Sequence, residues 1–221
     1  VVSFAVLTPS RGLVHSRVVE AVMVNVAQAS GAGHEFRGWC LTHNLPIPDC
    51  DEKVTRRGLA TKADLLWFVE EDTVPPPGAL LASIALLGQF DVVAVDYPVG
   101  SDAWACINRD ESGEIRWCGL GTTLIRSEVF KSLPRPWFST DWAYMKRGRE
   151  YEPERNTLAP EKRYGQQDIY FCMNVRSAGF RIGQVRGMTA EHGRLVSMGK
   201  SDSNIGWHTM AYSDRILRQQ P

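Results

Sequence analysis

Short apolar runs that alternate with helical-period segments constrain this chain more than any other feature. Residues 3–8 (SFAVLT) are one such run, stopped by Pro9-Ser10-Arg11-Gly12. Residues 14–29 then place Val18, Val19, Val22, Val26 and Ala29 at helical spacing, and Ser30-Gly31-Ala32-Gly33 closes that segment. The pattern repeats with a strand at 36–42, a helix over 52–63 (EKVTRRGLATKA) and a strand at 64–69. A helix over 77–87 with proline in its first turn and a strand at 91–98 (DVVAVDYP) complete it. Parallel strands cannot be joined by a tight turn and need a crossover, usually a helix. The pattern therefore predicts an α/β fold, a mostly parallel sheet flanked by helices.

The second half reads differently. Residues 103–119 (AWACINRDESGEIRWCG) suggest a hairpin around Asp110–Gly113, and GTTLIR (121–126) a further strand, followed by a short helix at 127–133. Residues 139–165 are polar and aromatic without clear periodicity, too long for an idle connection. An amphipathic helix is expected over 167–178 with Gly179 as its cap, then a strand FRIGQV. The tail after residue 195 is rich in Gly, Ser and Asp up to a final helix at 208–219. A smaller antiparallel part is thus expected toward the C-terminus.

LLWFVEEDTVPPP (65–77) raises a question of charge. Glu70, Glu71 and Asp72 stand side by side where a buried strand ends, and like charges that close raise one another's pKa unless a cation sits among them. Either they splay into solvent at the turn or they hold a metal ion. In an open α/β sheet, ligands bind outside the carboxyl ends of the strands. Thr8-Pro9-Ser10-Arg11, Glu70–Asp72 and Asp96-Tyr97 all fall at that edge. Oxygen ligands there suit Mg²⁺ or Mn²⁺, and His192, in TAEHGRL, would add an imidazole acceptable to Mn²⁺. Asp168 belongs to the first turn of its helix, where a carboxylate is favoured by the macrodipole. It is either a cap or, if it faces a cleft, a general base.

Composition narrows the class further. The 25 basic residues balance 25 acidic ones, so no polyanion-binding charge dominates, which counts against a general nucleic-acid binder. No apolar run approaches the roughly 20 residues needed to span a bilayer. No signal peptide is read at the N-terminus, and five scattered cysteines without a C-x-x-C pair suggest reduced thiols, a cytoplasmic location and no structural zinc.

Five segments in order resemble the GT-A glycosyltransferases, especially the family 2-like branch. They are AVLTPSRG, VTRRGLATKADLLWFVEEDTVPPPGAL, GLGTTLIRSEVFKSLPRPWF, GQQDIYFCMNVRSAGFRI and EHG, and they cover about residues 3–195. Glu70-Glu71-Asp72 fills the place of that family's D-x-D motif, with Glu where the first Asp is usual. Gln167 stands where the family usually has Glu. The resemblance implies one domain over 1–221: a nucleotide-sugar-binding half (1–100), an acceptor and catalytic half (101–195) and a tail (196–221).

It also implies roles. A UDP- or GDP-sugar donor would lie near Thr8, Pro9, Ser10, Arg11, Arg57 and Glu70–Asp72, with Gly119 and Gly121 allowing close backbone approach. Asp72, His192 and Glu70 would hold Mn²⁺ or Mg²⁺, Glu71 pointing away, and Asp168 would take the proton of an incoming hydroxyl, with inversion. Trp137, Trp142 and Tyr144 would stack on a sugar, or else pack in the core, and Gln167 would meet the acceptor. The acceptor partner would be a glycan, a protein or a modified nucleic acid, with no membrane span. Basic residues of MKRGRE and PEKRY (within 139–165) either face it or are solvated. Two alternatives stay open: a nucleotidyltransferase, although TPSRGL is sparse in glycine for one, and a non-catalytic nucleotide-sugar- or carbohydrate-binding module.

Overall fold

The computed structural model describes residues 1–10, 12–99, 103–106, 110–147, 150–155, 157–158, 166–197 and 205–209. The chain runs β1 (Ser3–Thr8), α1 (Ser16–Gly31), β2 (Glu35–Leu41), α2 (Asp49–Ala60), β3 (Leu65–Val69), β4 (Thr73–Val74), α3 (Ala79–Ala85) and β5 (Val92–Asp96). It continues with β6 (Thr122–Arg126), α4 (Ser127–Ser132), β7 (Trp142–Arg147), β8 (Glu150–Arg155), α5 (Gln167–Ser177), β9 (Ile182–Thr189), β10 (Glu191–Ser197) and β11 (Ile205–Thr209). Six strands form the main sheet in the order β2-β1-β3-β6-β5-β9. All pair in parallel except β6, which runs antiparallel between β3 and β5. The expected fold class is what is found.

Period-2 alternation places the core on both faces of this sheet. Ala5, Leu7, Leu66, Phe68, Val92, Ala94 and Ile125 face one cluster, which α2, α4 and α5 cover. Phe4, Val6, Leu65, Trp67, Val69, Val93 and Val95 face the other, covered by α1 and α3. Aromatic rings dominate the first: Phe171 stacks on Phe130 and Phe138 at centroid distances of 5.3 Å each. Truncating a buried ring of that kind to alanine costs about 3–5 kcal/mol. Helix α2 lies so close to β1 that a Cβ on Gly58 would stand 2.6 Å from a Leu7 methyl, so any larger residue there would push the helix off.

Several expectations are corrected. Helix α2 begins three residues earlier than the 52–63 reading, because Asp49, Asp51 and Glu52 make an acidic first turn that favours the start of the helix dipole. Glu52 is buried and accepts from the backbone N–H groups of Trp137 and Phe138, tying α2 to the loop after α4. Helix α3 starts only at Ala79, after Gly78 at φ +82°, so the prolines precede it instead of opening it. The hairpin expected over 103–119 is not formed among the described residues. Its turn exists, with the Asp110 carboxylate accepting from the N–H of Ser112 and Glu114. Its described arms touch at Gly119 N–H on Ala105 O, but they also bond to neighbours: Ala105 N–H donates to Tyr97 O, and Ile115 N–H to Ile182 O.

The stretch 139–165 contains a two-stranded antiparallel ladder, β7 on β8, where no regular structure was expected. Of the tail helix expected over 208–219, residues 208–209 instead close β11, which pairs with β10; residues 210–219 lie outside the described residues. Among the described residues, no helix is long and apolar enough to cross a membrane. The five cysteines are free thiols, as expected.

Candidate active site

The carboxyl ends of the parallel strands do bound a cleft, of about 180 Å³. Pro9 comes from the exit of β1, Glu70–Asp72 from the exit of β3, and Tyr97 and Val99 from the exit of β5. Ile47, Cys50 and Asp51 bring the start of α2, Gln166–Asp168 the start of α5, and His192 comes from β10. Asp51, Glu70, Glu71, Asp72 and Asp168 thus share one concavity with a single imidazole.

The turn that positions the acids is built by the backbone. Glu70 N–H donates to Gly121 O at 3.1 Å, and Thr73 N–H donates back to Glu70 O at 3.3 Å, so the chain reverses at once after β3. Gly193 N–H then donates to Asp72 O at 2.7 Å, and His192 pairs with Thr73 in the antiparallel ladder. This ladder brings two residues 120 positions apart onto one wall. Their side chains meet with His192 Nε2 at 3.7 Å from Asp72 Oδ1.

The imidazole is oriented from behind. Its Nδ1 lies 2.9 Å from Pro98 O, and Tyr97 packs edge-on at a ring-centroid distance of 5.2 Å. A carbonyl only accepts, so Nδ1 carries a proton and Nε2 is the nitrogen that faces Asp72. This is the arrangement of a metal-bound histidine steadied through its other nitrogen. Two ligands at about 2.1 Å from one ion stand roughly 3–3.6 Å apart, close to the separation found. Among the described residues no group of three or more His, Cys, Asp and Glu converges on one point. Asp72 and His192 therefore fit a cation that takes its remaining oxygens from water and a substrate, the habit of Mg²⁺ with phosphates.

Asp168 lines the same cleft. It sits in the first turn of α5, after Gln166 at φ +64°, and its Oδ1 accepts from Ile169 N–H at 2.9 Å. Burial outweighs those N–H bonds and pushes its carboxyl up to about 6 from 3.8. Beside it, Gln167 is only 5% exposed, and its Oε1 has no hydrogen-bond partner among the described residues. A buried carbonyl oxygen left unpaired costs about 1–3 kcal/mol, unless a ligand supplies the donor.

The remaining expected residues are distributed unevenly. Pro9, Glu70, Asp72, Gln167, Asp168 and His192 come together in the cleft. Glu71 lines the cleft too, and its charge, after that of Glu70, adds to the burial that raises the Cys50 thiol far above its usual range. Thr8 and Ser10 are buried beneath the edge. The Thr8 hydroxyl accepts from the Trp39 indole, and Ser10 N–H donates to the Thr42 hydroxyl. Arg57 donates to Leu41 O at the end of β2, and Arg11 lies outside the described residues.

Gly119 and Gly121 owe their lack of a side chain to Tyr97. A Cβ would stand 2.1 Å from its hydroxyl at the first and 2.6 Å from its ring at the second. Tyr97 is buried, and its hydroxyl accepts from Gly121 N–H at 3.0 Å. Burial first, and the carboxylates of Glu70, Asp168 and Asp72 after it, hold its pKa well above the ordinary value.

Trp137 is a correction, with its ring edge-on to Phe130 and its indole N–H on Phe130 O, in the core and not on a sugar. Trp142 is 43% exposed at the start of β7 and does not line the cleft. The Tyr144 side chain lies outside what is described. Sequence reasoning missed Ile47, Cys50, Asp51 and Gln166. Asp51 had a signal, an acid in the first turn of an α/β crossover helix, but it was read as the residue before that helix.

No family model matches the chain, and no curated protein does. Solved structures do. A197 from STIV matches at 20% identity and a TM-score of 0.55, over 87% of this chain and 85% of A197, which shows a shared fold. A Drosophila β-1,4-galactosyltransferase 7 mutant in complex with manganese, UDP-Gal and xylobiose aligns at 13% identity and a TM-score of 0.47, over 100% of this chain and 74% of that one. The inositol-1-phosphate CTP transferase from T. maritima aligns at 11% and 0.41, over 83% and 84%. Both glycosyltransferases and nucleotidyltransferases therefore stand among the structural neighbours.

Proposed function

We propose that this chain is a metal-dependent glycosyltransferase that moves a sugar from a nucleotide-diphosphate sugar to a hydroxyl of an acceptor, with inversion. The observation that carries the reading is one cleft at the sheet's carboxyl edge, lined by two unlike groups: the Asp72–His192 pair and Asp168, its pKa raised to about 6. Asp72 and His192 would hold Mn²⁺ or Mg²⁺, with Glu70 beside them. When bound, the ion supplies positive charge where the leaving diphosphate gains negative charge.

Asp168 accepts the proton of the attacking hydroxyl. A carboxylate is a weak base in water, and a pKa near 6 brings it closer to the operating pH, which favours proton transfer while leaving it ionised at neutrality. Its own α5 N–H groups fix the carboxylate's direction. The unpaired Gln167 Oε1 next to it accepts from a second hydroxyl of the bound sugar and so orients it.

The experiment is a thermal-shift screen of UDP- and GDP-sugars with and without Mn²⁺, followed by an assay for released nucleotide. Metal-dependent stabilisation that Asp72→Ala abolishes, together with release of nucleoside diphosphate, is expected. Release of pyrophosphate from a nucleoside triphosphate would point to a nucleotidyltransferase. Binding with no turnover at all would point to a binding module.

A further inference from the structure

A second cavity, of about 400 Å³, opens beside the cleft at the carboxyl ends of β5 and β9. Asp96, Trp104, Cys106, Gln184, Met188 and Thr189 form its wall. Its polar part is fixed in place. Asp96 Oδ1 accepts from the N–H groups of Tyr97 at 3.0 Å and Cys106 at 2.8 Å, and Gln184 Nε2 donates to Oδ2 at 3.3 Å. Gln184 itself is 7% exposed. These bonds set the plane of the carboxylate before any ligand arrives, and Trp104 and Met188 supply apolar surface around it.

The chemistry of the wall limits what fits. A carboxylate oxygen already held by N–H donors acts as an acceptor, so a ligand that meets Asp96 must bring donors. A molecule with an apolar face and a rim of hydroxyls answers both needs, which is the description of a neutral sugar ring.

The two cavities share their chain segments. Asp96 lines this one and the next residue, Tyr97, lines the cleft; Thr189 lines this one and His192 the cleft. Three residues of extended chain span at most about 10 Å. The segments are clamped together by Ala190 N–H on Asp96 O at 2.8 Å and by His192 on Pro98 O at 2.9 Å. We propose that this cavity binds a sugar ring of an extended, neutral saccharide acceptor whose reacting end lies in the cleft. The acceptor role rests on the glycosyltransferase reading; the saccharide binding does not.

The test is saturation-transfer NMR and calorimetry with maltotriose, cellotriose and chitotriose, in EDTA and without nucleotide. At least one trisaccharide is expected to bind, and Trp104→Ala should raise its Kd by about tenfold or more, the scale of one lost aromatic contact. Thr189 is exposed, so Thr189→Arg should leave folding intact and fill the cavity beside Asp96, with the same loss. Asp72→Ala should leave this Kd unchanged. Absence of binding by all three trisaccharides would overturn the proposal, as would wild-type affinity in both cavity variants or displacement by tetramethylammonium. Saccharide binding here without any donor binding in the cleft would keep the site and remove the transferase reading. Donor binding without saccharide binding would do the reverse.

Discussion

Asp72 leaves the end of β3 with its carboxylate 3.7 Å from an imidazole. Asp168 enters α5 with its carboxylate held, among the described residues, by its own helix turn and raised to about 6 by burial. Both are aspartates on the same cleft, yet in the proposed reaction one shares a cation and the other a proton. Environment, not residue type, separates the tasks. The sharpest way to break that division is to neutralise each acid in turn.

Asp168→Asn should have the largest effect on chemistry. Loss of a general base typically costs about 10²–10⁴ in rate, while metal-dependent nucleotide-sugar binding should survive, as thermal shift would report. In the wild type, kcat/KM should rise with pH and level off above about 6, the pKa of the ionising base. A variant that loses donor binding along with turnover would erase the contrast between the two aspartates.

Stability should move the other way. The folded-state pKa of Asp168 lies above its ordinary 3.8, so between about pH 4 and pH 6 the native protein binds more protons than the unfolded chain. Its stability therefore falls as pH rises through that window, and above it the folded state carries the full penalty. Two pKa units correspond to at most about 3 kcal/mol. Asp168→Asn should recover much of that at pH 7 in EDTA, measured by urea unfolding, and should flatten the slope below pH 6. No gain in stability would mean that the carboxylate is not held against its preference.

Asp72→Ala should act through the ligand instead. A donor present at 100 times its Kd stabilises a protein by about 2.7 kcal/mol. That increment should vanish in the variant in Mn²⁺, with little change in the bare protein. His192→Ala should do the same. If either variant keeps the Mn²⁺-dependent shift, the ion is held elsewhere.

How much of this was legible beforehand follows from what holds each part together. Strands β1, β3 and β5 have two buried faces, so Ala5 to Leu7, Leu65 to Val69 and Val92 to Val95 are apolar at every position and announce themselves. The turn after β3 was legible too, since three acids and three prolines cannot continue a buried strand. The pairing of β7 with β8 was not: WAYMKR puts apolar residues on both faces instead of alternating, and EYEPER contains a proline. The described arms of the 103–119 segment meet each other at Gly119 and Ala105, but their alternation also serves the neighbours Tyr97 and Ile182, which no local pattern shows.

In the cleft, residues from six separate elements converge, and only order along the chain was visible. Tyr97 could be placed at the edge, but nothing in the sequence shows that it fills the space over Gly119 and Gly121. Those glycines looked like room for a ligand and turned out to be room for a ring. Trp137 misled in the same way, since an aromatic near a charged loop reads identically whether it faces a sugar or Phe130.

Gln167→Met is the gentlest test of the helix wall. The side chain is almost fully buried and its Oε1 lacks a partner among the described residues, so replacing the amide with an apolar group of similar length removes an unpaid desolvation cost. Such a change is nearly neutral or stabilising, by about 1 kcal/mol, where a purely structural amide would lose stability on removal. If that oxygen receives a sugar hydroxyl, the variant should bind the acceptor about tenfold more weakly, one charge-free hydrogen bond at the upper end of its usual worth. The pH at which turnover levels off should stay near 6, because Asp168 keeps its surroundings. A raised acceptor KM with an unmoved pH profile would assign Gln167 to orientation and leave Asp168 alone with the proton; an unchanged KM would leave the orphaned oxygen without a use.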